Sequence, residues 1–128
     1  YRMAFESGML RQIIDGISEK QIAELEEIDA LCTGEEAVRD FWVHWQYNKK
    51  FHLKLMSFTH NEFAYKSLEL ALTTLTRAYA QFYWNQWKEM PYPYDTKYHK
   101  DIIEAIRRRD ADKAAMYLSA DLQDFARK

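Results

Sequence analysis

Four side chains in this chain have the types and spacing to do chemistry together: Asn48, His52, His99 and Asp121. Asn48 and His52 stand four apart, about one helical turn, so their side chains share a face. In the stretch VRDFWVHWQYNKKFHLKLMSFT, residues 38–59, that face also carries Val38, Phe41, Trp45, Leu55 and Thr59 at alternating steps of three and four. A polar pair in such a stripe must find partners, because an unsatisfied buried amide or imidazole costs on the order of 1–3 kcal/mol. His99 lies eleven residues before Asp110 and Asp121 eleven after it. If two helices fold back on each other at Asp110, these positions are level, roughly 16 Å from the turn at about 1.5 Å rise per residue. Each also sits on an apolar stripe, His99 with Ile103 and Ile106, Asp121 with Ala114, Leu118 and Phe125. A carboxylate there is almost never buried without a partner. Two imidazoles and a carboxylate could hold a divalent metal such as zinc or nickel, with water or a ligand oxygen completing the shell. From spacing alone, a hydrogen-bonded polar core cluster is the plainer alternative.

The elements that must position these groups all read as helices. Residues 1–17 form the first, with Phe5, Met9, Ile13 and Ile17 on one face. Ser18, with Gln21 three residues on, is a capping box opening a second helix to about Leu31, which buries Ile22, Leu25 and Ile28. Cys32-Thr33-Gly34 breaks the chain, and Thr33 or Gly34 caps the helix that carries Asn48 and His52. A turn near His60-Asn61 precedes a long helix to about Lys88, with Leu68, Leu72, Leu75, Tyr79 and Phe82 as its core stripe. Pro91 and Pro93 end it. A helix over 96–109 and a last one over 110–126, capped by Asp110, complete the chain. The expected fold is an all-α antiparallel bundle of six to seven helices forming one domain over residues 1–128.

Composition supports this and removes other classes. Three Gly and two Pro leave little turn material, and 16% aromatic residues make the core or a pocket ring-rich. A net charge of −2 excludes a strongly basic nucleic-acid surface on this chain. Arg107, Arg108 and Arg109 read as a helix end, solvating it and complementing its dipole. One cysteine, Cys32, excludes a disulfide framework and a cysteine-based zinc motif, and points to a reducing, cytoplasmic setting. No apolar run approaches the length needed to span a bilayer, so no membrane partner is expected. The start at Tyr1, in the middle of a helical pattern, reads as a piece of a longer protein.

Arg2 and Glu6 in the first helix, NKKFH at 48–52 with Asn61 following, and HKDIIEAIRRRD at 99–110 running into ADKAAMYLSADL together carry a resemblance. The chain resembles the effector-binding C-terminal domain, the FCD domain, of FadR-type regulators in the GntR family of bacterial transcription factors. The resemblance covers essentially the whole chain. It implies a six- or seven-helix antiparallel bundle, a homodimer, and a preceding winged helix-turn-helix domain through which alone DNA is bound. In most of the family an Asp, a His four residues on and two later His bind a divalent metal at the floor of the effector cavity. Here Asn48 stands at the Asp position, His52 and His99 match, and Asp121 stands where the last His falls. The set therefore departs from the pattern twice and keeps one carboxylate and two imidazoles. A subset of the family lacks the metal and binds an acyl-CoA ligand instead.

The resemblance also places Arg2 facing the effector cavity, where a guanidinium suits a carboxylate ligand; a surface ion pair with Glu6 is the alternative. Arg77, amid Leu70, Thr73, Thr74 and Gln81, is a second candidate cavity residue. Tyr83, Trp84 and Trp87 either wall a pocket or pack between helices. His44 reads as exposed and His60 as a helix-end residue. The functional expectation is a ligand-sensing regulatory domain rather than an enzyme, binding a small organic acid with the help of a divalent metal. The alternatives are a helical metalloenzyme with a two-His, one-carboxylate site and a metal-free acyl-ligand sensor.

Overall fold

The computed structural model describes residues 2–83 and 97–126. Among them are seven helices and no strand: α1 (Arg2–Ile14), α2 (Glu19–Cys32), α3 (Glu35–Arg39), α4 (Phe41–Ser57), α5 (Glu62–Tyr83), α6 (Lys97–Arg107) and α7 (Ala111–Ala126). None of the described helices is long and apolar enough to cross a membrane. The expected end of the long helix near Lys88, the Pro91–Pro93 break and the rings of Phe82, Tyr83, Trp84, Trp87 and Phe125 lie outside the described residues or side chains.

Local chemistry sets where the helices start. Ser18 Oγ accepts from Gln21 N at 3.1 Å while Ser18 N donates to Gln21 Oε1 at 2.9 Å, the reciprocal pairing expected from the sequence. Asn61 Oδ1 accepts from Ala64 N at the head of α5, and Asp110 Oδ1 from Lys113 N at the head of α7. Such a side-chain cap is worth about 1 kcal/mol. The stretch 38–59 is not one helix. Gly34 opens the short α3, and Asp40, in extended backbone, accepts from Trp42 N and Val43 N at 2.9 and 3.3 Å to start α4 afresh. An aspartate that can satisfy two orphan amides favours a new helix start over continuation.

α4 is the shared wall of two apolar cores. Its Phe51 and Leu55 pack with Leu10 of α1, Leu25 of α2, Ile102 of α6 and Leu118 of α7. Its Phe41, Trp45 and Met56 pack with Ala64, Leu68 and Leu72 of α5. Trp45 adds a polar tie across that second core, donating from Nε1 to Thr76 Oγ1 at 2.8 Å. Fully burying one such large side chain contributes about 1.5–3 kcal/mol. The helix that carries Asn48 and His52 is therefore clamped on both sides.

The α6–α7 hairpin is fastened to α1 by Arg109. Its guanidinium donates to Ile14 O at 2.9 Å, a carbonyl in the last turn of α1, and to Ile17 O at 2.8 Å in the link to α2. Arg109 takes a left-handed φ of 59° to do so. The basic run is thus more than a solvated helix end: Arg107 pairs with Glu26 at 2.7 Å and Arg108 with Glu104 at 2.9 Å, while Arg109 joins two elements.

Candidate metal centre

Three helices deliver the central groups. α4 presents His52, fully buried; α6 presents His99, fully buried; α7 presents Asp121, 5% exposed. The hairpin turn at 108–110 sets His99 level with Asp121, with His99 Nε2 at 3.4 Å from Asp121 Oδ2. His52 Nε2 reaches the same oxygen at 3.0 Å. Phe51, the neighbour of His52 on α4, stacks on the His99 ring with centroids 3.9 Å apart and planes 6° apart, which fixes that imidazole's tilt. One candidate ligand atom from each of the three lies within 4.8 Å of the others. Ligands bonded at about 2.1 Å to one cation sit about 3.0–3.4 Å apart, so the two measured edges have the right size for a shared ion.

The far sides of both imidazoles face carboxylates. His52 Nδ1 lies 2.7 Å from Glu6 Oε1, and His99 Nδ1 lies 3.5 Å from Asp29 Oδ1. At 2.7 Å the Glu6 carboxylate holds the proton on His52 Nδ1 and leaves that ring's Nε2 lone pair for a metal, whereas His99 Nδ1 faces Asp29 at ion-pair distance without a hydrogen bond. Arg2 Nε donates to Glu6 Oε2 at 2.7 Å, completing the chain Arg2–Glu6–His52–Asp121–His99–Asp29. Its formal charges cancel when both imidazoles are protonated, three carboxylates against Arg2 and two imidazolium ions. They also cancel when a divalent cation takes the place of those two protons.

With protons rather than metal in the centre, the titrations follow from this packing. Burial pushes the His52 imidazole down, but the charge of Glu6 and the bonds to Asp121 and Glu6 outweigh it and raise it to about 9. Burial acts the same way on His99, and the contacts with Asp121, Asp29 and Cys32 raise it to about 10. For Asp121, burial favours the neutral acid, yet the two imidazoles hold it far below the usual carboxylate range. Glu6 is likewise held low against its burial, by His52 first and Arg2 second.

Asn48 is 2% exposed, one turn before His52 on α4, and its Oδ1 is buried with no hydrogen-bond partner among the described residues. An orphaned acceptor on the ligand-bearing face fits a group with a further electropositive contact to offer. Arg2 is also inside rather than on the surface: its side chain is 16% exposed, and Nη2 is buried with no partner among the described residues. Arg77 is exposed on α5. His44 is fully buried, not exposed as its spacing implied, whereas His60 does sit exposed at a helix end with φ 55°.

Sequence reasoning named Glu6 only as a partner for Arg2, which it is at 2.7 Å, and missed both its place behind His52 and Asp29 altogether, although a signal for each existed. Glu6, Leu10, Ile13 and Ile17 are all buried, at steps of four, three and four, and Ile22, Leu25, Asp29 and Cys32 at steps of three, four and three. Shifting the buried stripe by one residue from Phe5–Met9 to Glu6–Leu10, and from Ile28 to Asp29, would have found both.

Fold and site together define a helical-bundle domain built around a buried histidine–carboxylate centre. The chain belongs to the FCD domain family, whose model matches residues 1–124. FCD domains are the ligand-binding regulatory domains of GntR-type regulators. Comparison with curated proteins finds no match, and none is found among solved structures.

Proposed function

We propose that this domain senses a small organic acid through a divalent cation held by His52, His99 and Asp121, with Asn48 as a fourth, weaker ligand. The observation that carries the reading is the convergence of two Nε2 atoms on one oxygen of Asp121, each imidazole backed at Nδ1 by a buried carboxylate. Zinc and nickel both accept such a donor set, and a bound cation supplies open coordination positions for a ligand oxygen. Arg2, whose buried Nη2 has no partner among the described residues, offers a donor to the acid's carboxylate. The regulator is cytoplasmic and dimeric, and operator DNA is bound through a winged helix-turn-helix domain outside this chain. The acid acts by favouring one arrangement of the dimer, with an effect no larger than its differential affinity for the two arrangements.

One observation favours a metal-free sensor instead: His52 and Asp121 already satisfy each other at 3.0 Å. Thermal melts of the purified domain with zinc or nickel, then with chelator, separate the two. A metal-dependent rise in Tm, enlarged by small carboxylic acids only when metal is present, is the expected result. Melts indifferent to metal, with acyl ligands stabilising the protein in chelator, would establish the metal-free reading.

A further inference from the structure

A groove of about 640 Å³ runs between α2 and α4, with Tyr65 of α5 also lining it. Its α2 wall carries Glu24 and Glu27, and its α4 wall carries Lys50 and Lys54. Ile28, Leu31 and Leu53 supply its apolar lining, and Leu31 is 44% exposed. Lys54 Nζ meets Glu24 Oε2 at 3.3 Å across the groove. Glu27 and Lys50 are exposed and form no ion pair among the described residues.

The short connection through α3 makes α2 and α4 antiparallel, and the Glu24–Lys54 contact sets their register. Three residues on along α2 and four back along α4 therefore bring Glu27 and Lys50 level to within one residue, about 1.5 Å. A surface with an acidic rim, an apolar lining and a basic rim at matched heights is complementary to itself under one two-fold rotation. An axis lying in the face and along the groove sets α2 of one copy over α4 of the other at the same height. Glu27 then opposes Lys50 of the second copy, and the same pair recurs by symmetry. An axis across the groove would set acid over acid and base over base, so the charges select the first.

We infer that this α2–α4 groove is the face through which two copies of the chain associate, with Glu27 and Lys50 pairing reciprocally across it. The inference rests on the dimer of the sensor reading and adds the surface that forms it. It couples assembly to the site directly, because α2 carries Asp29 and α4 carries His52.

The test uses the single variants Glu27→Lys and Lys50→Glu, both at exposed positions where helical circular dichroism should be unchanged. In each homodimer both reciprocal pairs become like-charged, and the dimer is expected to weaken by about tenfold or more, as rim charges of this kind allow. In an equimolar mixture, the introduced lysine of one chain faces the introduced glutamate of the other, and the remaining native pair is also attractive. Sedimentation equilibrium should therefore show association restored on mixing, with native mass spectrometry reporting the mixed dimer. Restoration on mixing cannot come from contacts within one chain. Variants that dimerise like the wild type, or a mixture no stronger than its components, would overturn this face while leaving the dimer standing. A wild-type chain that stays monomeric at every concentration would overturn both, and the metal-dependent melts would still test the site alone.

Discussion

Glu6 and His52 are 46 residues apart in sequence, and Glu6 Oε1 lies 2.7 Å from His52 Nδ1. This single contact fixes which imidazole nitrogen faces the centre. With Nδ1 engaged by a carboxylate that Arg2 also holds, Nε2 is the nitrogen presented to Asp121.

Glu6→Gln should therefore weaken metal binding without touching any ligand. An amide still reaches Nδ1 but no longer supplies the charge that makes the imidazole a stronger donor. Apparent affinity is expected to fall by about 10–100-fold, as for other outer carboxylates. Competition against a chromophoric chelator reads this out; unchanged affinity would show that Glu6 serves packing only.

Asn48→Asp distinguishes a metal centre from a hydrogen-bonded cluster by sign. With cation bound, a charged oxygen in place of a neutral one should add on the order of 1–2 kcal/mol to the metal-bound state. In chelator, the same change buries a further carboxylate near Asp121 and should cost on the order of 1–3 kcal/mol. His99→Ala removes one of the three strong ligands and should abolish the metal-dependent rise in Tm. A variant destabilised equally with and without metal would rule out Asn48 as a ligand.

In chelator, stability should fall with alkali. His52 and His99 are raised from 6.5 to about 9 and about 10, so their contribution is complete below 6.5 and disappears as pH rises through those values. Glu6 and Asp121 are lowered from 4.5 and 3.8, so their contribution is present above those values and is lost as pH falls. The chelated protein should thus be most stable between about pH 4.5 and 6.5, and metal should narrow its alkaline loss because binding needs neutral imidazoles. A Tm that is flat or rising from neutral to alkaline pH in chelator would contradict the buried charge network.

Arg109 supplies a test of the scaffold that spares the site. Arg109→Ala removes the bonds to Ile14 O and Ile17 O and should cost about 1–3 kcal/mol in urea unfolding. Arg109→Gly loses the same bonds but relieves the left-handed backbone, and should be roughly 1 kcal/mol more stable than the alanine variant. Metal affinity should change little in either, since both leave the central ligands in place.

Much of this protein is local and therefore readable from its residues. Ser18 with Gln21, Asn61 and Asp110 mark helix starts because each cap is a contact within a few residues. The level placement of His99 and Asp121 is local too, since one turn at 108–110 determines it. Asp40 was legible in principle, but an apolar period running through 38–59 hid a cap whose effect appears only when two amides are counted. Periodicity gives a helix its faces but does not say which face another helix will cover. That decision places Glu6 and Asp29 behind the imidazoles, buries His44 and leaves Arg77 outside. Each depends on contacts between α1, α2, α4, α5 and α6 that span tens of residues. Helical period leaves a one-residue ambiguity in every stripe, and only the packing of its neighbours resolves it.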